Sequence, residues 1–465
     1  MEFADAAPRA DDSCRKVGVI FMRDSLKHRG REHLALARYA LRWLGISAAL
    51  ALPVGSVCAL FLFALERATA ARLAAPRLLY GLPLCGAAIG AVYHRWGRSV
   101  EGGSNLIVES IHDAGAGVPR RMTPLILLST VATHLFGGSA GREGAAVQMG
   151  GSLAGAVARV LRLSPAESRV ALTAGVAAGF GAVFGAPLAG AVFAMEVLVV
   201  GAMRYEALVP CLAASVLSDQ VCRAWGIHHV FYAVAPLSAA DLGWGGLGAG
   251  LCVKAAVAGA GFGLVGLLFS EGMNGLSIAW KRLIPSPWLR PLSGGIAVIC
   301  LVWVSGTRDF LGLGVASPDA SVVTIVSSFR AGGCGAWSWA GKLLFTLTTL
   351  AAGFKGGEVT PLFFIGANLG NAFSRLLSAP TDLFAALGFA AVFAGAANTP
   401  LACTIMGIEL FGGQGAIFYA VACFVAYLFS GHSGIYLSQR MGVMKGGGEP
   451  VPGRGSLRQA REPRR

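Results

Sequence analysis

From residue 38 onward the chain is a succession of apolar runs separated by short polar or glycine-rich breaks. The runs cover 38–65, 78–93, 124–136, 145–160, 170–184, 188–200, 207–221, 245–269, 293–304, 339–353, 383–397, 401–411 and 415–429. A simple helical span takes about 20 residues. These runs are uneven, many are shorter, and glycine and proline interrupt them, which predicts tilted or re-entrant helices. Such breaks survive at membrane depth only where protein or a water-filled cavity satisfies the freed backbone groups. Residues 1–36 read as a polar lead-in, and a mainly basic loop with Arg67, Arg72 and Arg77 against Glu66 follows the first span. The stretch 101–113, EGGSNLIVESIHD, is too polar for lipid and too glycine-rich for an ordinary helix start. Residues 231–244 read as a loose loop, 284–292 as a proline-rich connection and 305–337 as a segment outside the hydrocarbon.

Composition turns this pattern into a class. Of 465 residues, 55% are hydrophobic and 13% charged, against about 25% charged in soluble domains. The chain is therefore predicted to be a multi-span membrane protein. A net charge of +14 does not make it a nucleic-acid binder, because the basic residues are spread over short loops and tails. Arg15, Lys16, Arg23, Lys27, Arg29 and Arg31 precede the first span, and Arg454, Arg458, Arg461, Arg464 and Arg465 end the chain. The positive-inside tendency then puts both termini in the cytoplasm. No cleavable signal peptide is expected, since the N-terminal region lacks an apolar core. The cysteines are scattered singly and no HExxH occurs, so no metal site, disulfide framework or cofactor is expected. An intramembrane enzyme would need a nucleophile–base pair or metal ligands at depth, and no HExxH occurs.

One stretch stands apart from the rest. Residues 137–151 read GGSAGREGAAVQMGG, with Glu143 held between Gly141–Arg142 and Gly144 and a helix-like run following at once. Glycines let backbone approach a ligand closely, and a helix start offers unpaired N–H groups to an anion. An ionisable residue there, inside membrane-grade sequence, marks a functional site. The plainer alternative is a lid or surface pair of Arg142 with Glu143.

The halves echo each other. GAPLAGAVFAME ends nine residues after Pro187 at Glu196, and NTPLACTIMGIE ends nine residues after Pro400 at Glu409, an offset of 213. QMGGSLAG and FIGANLGN match at Gly150 and Gly366, an offset of 216. Glycine-broken apolar segments at corresponding positions of two halves point to a transport site where the repeats meet. Glu196 and Glu409 fall late in their helices and read as structural, bonded to backbone.

These residues resemble the CLC family of chloride channels and proton-coupled anion exchangers. The resemblance runs from about residue 38 to Gln439 and rests on GREG at 141–144, GAPLAG at 185–190, GGEVTP at 356–361 and Tyr436. GGSNLI, GREGAAVQMGG and FKGGEVTPLFFIGANLGN are similar to the bacterial fluoride-selective branch. Chloride exchangers of the family carry a second carboxylate just after the position matched by Glu196, and here Val197 stands there. Ser104 departs from the fluoride branch, which usually has Asn or Met at that place. GAGVP at 115–119 mimics the chloride filter GSGIP but lies in a loop.

The resemblance implies an all-α polytopic membrane protein of two inverted repeats with broken and re-entrant helices. Its transport domain would cover 38–439, in halves of roughly 38–225 and 245–439, between a cytoplasmic segment 1–37 and a short basic tail 440–465. It implies a fluoride exporter exchanging fluoride for protons, with a chloride/proton exchanger or passive chloride channel as the alternative. It also implies a homodimer in the bacterial inner membrane, with one pathway per subunit. Helix starts at Gly141–Ala145, Gly357–Pro361 and Gly103–Leu106 would supply donors to the anion. The expected anion-binding set is Ser104, Asn105, Gly141, Arg142, Gly144, Ala145, Glu358, Val359, Thr360 and Tyr436, with Glu143 as gate and proton carrier. Glu358 has two open readings: proton transfer or anion tuning, and a helix cap or partner of Lys355. Tyr436 alone could equally be a membrane-interface aromatic.

Overall fold

The computed structural model describes residues 12–113, 117–237, 248–447 and 455–461. The lead-in before residue 12, part of the GAGVP stretch, the second half of the 231–244 loop and much of the basic tail lie outside the described residues. The rest is mostly helix. The first half holds α1 (Asp12–Ala74), α2 (Leu82–Trp96), α3 (Ser104–His112), α4 (Met122–Leu135), α5 (Glu143–Val160), α6 (Pro165–Phe184), α7 (Pro187–Glu196) and α8 (Leu208–Ala224). The second holds α9 (Ala249–Leu283), α10 (Leu289–Ser305), α11 (Ser338–Ala351), α12 (Val359–Leu376), α13 (Thr381–Ala397), α14 (Pro400–Phe411) and α15 (Ala416–Phe429), and a short α16 (Leu457–Arg461) follows.

Three expectations need correcting. The lead-in from residue 12 and the basic loop after residue 65 are both helix, because α1 runs unbroken through Arg67 and Arg72. Leu, Ala, Arg and Glu are strong helix formers, and no Gly or Pro follows Pro53 and Gly55 until Pro76. The charged residues simply prolong the helix beyond the apolar span. Nor does GGSNLI avoid a helix start: Gly103 takes φ +56°, and α3 begins at Ser104. A third departure from an all-helical reading is small. Val199–Val200 and Arg440–Met441 form two short parallel strands, β1 and β2, that seam the exit of α7 to the segment after α15.

The repeat is physical. At the end of α6, Gly185 is left-handed (φ +70°), Ala186 is at φ −125° and ψ 74°, and Pro187 restarts a helix. At the end of α13, Asn398 is left-handed (φ +59°), Thr399 is at φ −131° and ψ 62°, and Pro400 does the same. A left-handed residue stops each helix, and proline at the first helical position starts the next without losing a needed N–H. Glycine packing repeats too. A Cβ on Gly150 would stand 2.1 Å from the Gly175 carbonyl, and one on Gly366 would stand 2.0 Å from that of Gly388. The pairs α5/α6 and α12/α13 therefore cross with backbones in contact, as small-residue interfaces in lipid allow.

The halves pack as inverted copies. α1 lies on α8 as α9 lies on α15, and α2 meets α10 across the repeat boundary. After α15 the chain turns back inside, burying Tyr436 and Gln439. The Gln439 amide donates to the carbonyls of Val197 and Ala397, both at 2.9 Å, tying the exits of α7 and α13 together.

Candidate functional site

The N-termini of α5 and α12 meet where the halves join. Gly141 and Gly357, also 216 residues apart, exchange backbone hydrogen bonds of 2.6 and 2.7 Å in an antiparallel bridge. Such reciprocal pairing requires a local two-fold relation between the repeats. It also requires glycine, since a Cβ on Gly357 would lie 2.8 Å from the Gly144 nitrogen and 3.1 Å from those of Arg142 and Glu143.

The side chain of Glu143 crosses from its own half to the other. Its carboxylate is 1% exposed and accepts from the Thr360 backbone N–H at 3.0 Å and from the Thr360 hydroxyl. The Arg142 backbone N–H adds a third bond at 3.2 Å, and the Arg142 Nε lies 3.3 Å from the other carboxylate oxygen. The surface-pair alternative for Arg142 and Glu143 is therefore wrong. The acid is buried against the start of α12, where amide donors and the helix dipole both favour negative charge. It is bound as a free anion would be.

Space flanks this carboxylate on two sides. On the face where α1 ends, a vestibule of about 800 Å³ is lined by Arg72, Arg142, His228, His229, Arg308 and Asp309. Its wall at residues 310–314 is anchored by the fully buried Lys342, whose Nζ donates to the Phe310 and Gly312 carbonyls at 3.1 and 2.6 Å. Between the vestibule and Glu143 lies a void of only about 20 Å³, walled by Arg142, Glu143, Thr360, His229 and Tyr232 and by the rings of Phe184, Phe363 and Phe389. Phe363 and Phe389 stack at 3.9 Å. Towards the other face a cavity of about 170 Å³ holds Ser104, Asn105, Gly144, Gln148, Glu358 and Tyr436 on its wall.

The structure thus gathers most of the expected set, divided between two chambers. Gly141, Ala145 and Val359 are buried behind the walls and line neither chamber, so their share is to let α5 and α12 approach. Asn105 is on the wall, but its Oδ1 accepts from the Ser438 N–H at 2.9 Å and so fixes the Tyr436 segment. Glu358 is at the cap position of α12 yet makes no capping bond. The Lys355 ammonium lies over the Tyr93 ring at 4.3 Å. Neither the cap nor the Lys355 pairing of Glu358 is found, and it faces the cavity. Tyr436 is 4% exposed, edge-on to Phe193 at 6.2 Å, and is no interface aromatic. Sequence reasoning missed Gln148, whose amide is 3.4 Å from the Ser104 hydroxyl. It stands inside the quoted GREGAAVQMGG, one helical turn beyond Gly144, so its position on the wall could have been inferred from i, i+4 spacing. His229 and Tyr232 could not, because loop placement carries no periodicity.

A buried carboxylate held by opposed helix starts at the junction of inverted repeats marks a membrane anion-transport protein. The family described as "Voltage gated chloride channel" matches residues 85–431, and the chain belongs to it. A chloride/fluoride channel protein of Pseudomonas syringae pv. tomato is 47% identical over 425 residues, covering 90% of this chain and 91% of that protein. The H(+)/Cl(-) exchange transporter ClcA of Vibrio cholerae is 26% identical over 328 residues, 64% of this chain and 66% of that protein. Among solved structures, a CLC-type fluoride/proton antiporter superposes with a TM-score of 0.80 at 31% identity, over 86% of this chain and 98% of that one. A slow cyanobacterial Cl-/H+ antiporter shares the fold at 19% identity and a TM-score of 0.69, over 84% and 94% of the two chains.

Proposed function

We propose that this protein is a fluoride/proton antiporter that exports fluoride across a bacterial inner membrane on the inward proton gradient. The observation that carries this reading is the Glu143 carboxylate, closed off from solvent and held by the amide and hydroxyl of Thr360 and the amide of Arg142. Ionised, it occupies donors that an anion needs. Protonated, it is a weak acceptor and leaves them, and the anion takes its place with its lost hydration repaid by the same donors. One group that trades places with the anion and carries the proton couples the two flows.

Fluoride is supported over chloride by several independent features. The donors at the gate are compact hydroxyl and amide groups, suited to a small, strongly accepting ion. Val197 leaves the position of the second carboxylate of chloride exchangers apolar and buried. A CLC-type fluoride/proton antiporter is a structural neighbour at 31% identity, while the relative at 47% identity carries both anions in its name. Ser104 on the cavity wall favours the second reading, chloride/proton exchange or passive chloride conduction.

The protein acts as a homodimer in lipid, with one pathway per subunit and both termini in the cytoplasm. The orientation follows the positive-inside tendency, with α2 ending in His94 and Arg95 on the cytoplasmic side. Proteoliposomes loaded with fluoride or chloride, with anion and proton flux recorded together, test the reading. Fluoride efflux with matching proton uptake is expected, and Glu143→Gln must abolish the proton component. Proton-coupled efflux that survives in E143Q overturns the mechanism.

A further inference from the structure

The walls of the vestibule and of the small void share Arg142, His229, Val230 and Val315. Any proton that reaches Glu143 from the vestibule must pass this partition. The void of about 20 Å³ has room for about one water molecule and no more. A guanidinium does not give up its proton and valine has none to give, so His229 is the one group on the partition that can both take up and release a proton near neutral pH.

The histidine is built into its place. Its ring packs against Gly185, where a Cβ would fall 2.5 Å from Cδ2, and its side chain is 12% exposed. Its Nε2 lies 3.4 Å from the Oδ1 of Asp219, a carboxylate 2% exposed in α8. The other Asp219 oxygen is held by Arg223 Nε at 2.7 Å. The carboxylate stands behind the imidazole as a fixed negative charge, with no hydrogen bond between the two.

We propose that His229, backed by Asp219, is the vestibule-side proton relay to Glu143. This rests on the antiport reading above. The ring takes a proton from vestibule water and passes one through the void to the Glu143 carboxylate, whose bonds to Thr360 then weaken. No covalent bond other than O–H and N–H changes, and the ring returns to its starting state. The charged and titratable groups around the ring set its balance. From α8 these are Asp219, Arg223 and Cys222; from α5, Arg142 and Glu143; and from α14, Glu409 beyond Asp219. Its own segment adds His228 and Tyr232, and the vestibule adds Glu66, Arg72, Arg308 and Asp309.

The test is coupled fluoride and proton flux in proteoliposomes, with the pH varied on the vestibule side alone. His229→Gln should slow coupled efflux about a hundredfold and flatten its dependence on vestibule pH. External imidazole should restore much of the rate in His229→Ala, which no packing role would allow. Asp219→Asn, which removes the charge behind the ring, should also slow coupled efflux, and it serves as the measurement if the His229 variants do not fold. A coupled wild-type protein whose H229Q profile superimposes on its own overturns the relay alone, as does an H229A variant deaf to imidazole. A wild-type protein that moves fluoride without protons overturns the antiport reading and the relay with it.

Discussion

Glu196 and Glu409 cap each other's helices. The carboxylate of Glu196, at the end of α7, accepts from the N–H groups of Leu401 and Ala402 at 3.1 and 2.7 Å, at the start of α14. That of Glu409, near the end of α14, accepts from Leu188 and Ala189 at 2.9 and 2.7 Å, at the start of α7. Each glutamate thus supplies negative charge where orphan donors and a helix dipole need it. The swap is possible only for antiparallel helices related by a two-fold axis, so the inversion of the repeat is written in two hydrogen-bond pairs.

Replacing either glutamate by glutamine should therefore cost stability and not coupling. A carboxylate at a helix start contributes about 1–2 kcal/mol, so E196Q and E409Q should each lower the thermal midpoint in detergent by similar amounts. The double variant should lose more than either alone. Fluoride-to-proton stoichiometry should stay at the wild-type value in both. A loss of proton flux in E196Q at unchanged stability would instead put that residue on the proton path.

Thr360 offers two donors to Glu143, one of them a hydroxyl that also accepts from the Arg142 N–H at 3.3 Å. Thr360→Val keeps the volume and the backbone donor and removes the hydroxyl. A hydrogen bond to a charged group is worth about 1.5–3 kcal/mol, so fluoride binding measured by calorimetry should weaken about tenfold or more. Thr360→Ser should recover most of the affinity. Wild-type affinity in Thr360→Val with weakening in Thr360→Ser would show that the methyl group, and not the hydroxyl, is what the site uses.

The Gly141–Gly357 bridge leaves no room for a methyl group. In Gly357→Ala the new Cβ would press on the backbone nitrogens of residues 142–144, which position the gate. Displacements of that order cost about a hundredfold in well-oriented sites, and fluoride flux should fall by at least that much. Gly250→Ala in α9, where nothing lies within 4 Å of the added carbon, should transport normally.

Much of this was legible in the sequence because the decisive signals are local. Proline after a left-handed glycine or asparagine announces each restart at 187 and 400, and the glycines around Glu143 announce close approach. Glu196 and Glu409 were recognisable as backbone-bonded from position alone, though not that each serves the other's helix. Helix limits were misread where charge and helix propensity disagree. Arg67 and Arg72 look like a loop beside an apolar run, yet arginine prolongs a helix as readily as leucine. The β1–β2 seam and the inward turn of His229 depend on where distant segments pack, and two-residue strands have no period to detect. Ser104 opens α3 and lines the cavity, but the flanking glycines of GGSNLI disguise the helix that follows them.

The two chambers should divide selectivity between them. An ion in the larger one, about 170 Å³, has space to keep part of its water, and a hydrated ion shows its size and basicity poorly to the wall. In the void of about 20 Å³ beside Glu143 and Thr360, it must exchange that water for protein donors, so discrimination belongs there. Ser104 faces the larger chamber, its hydroxyl 3.4 Å from the Gln148 amide. Ser104→Ala should therefore slow fluoride and chloride together, by less than about tenfold for one neutral hydrogen bond of about 0.5–1.5 kcal/mol, and leave their ratio in place. Thr360→Val should change the ratio. Paired fluoride and chloride flux assays on the two variants decide it: a ratio that moves with Ser104 and stays fixed with Thr360 would shift selectivity to the larger chamber and favour the chloride reading.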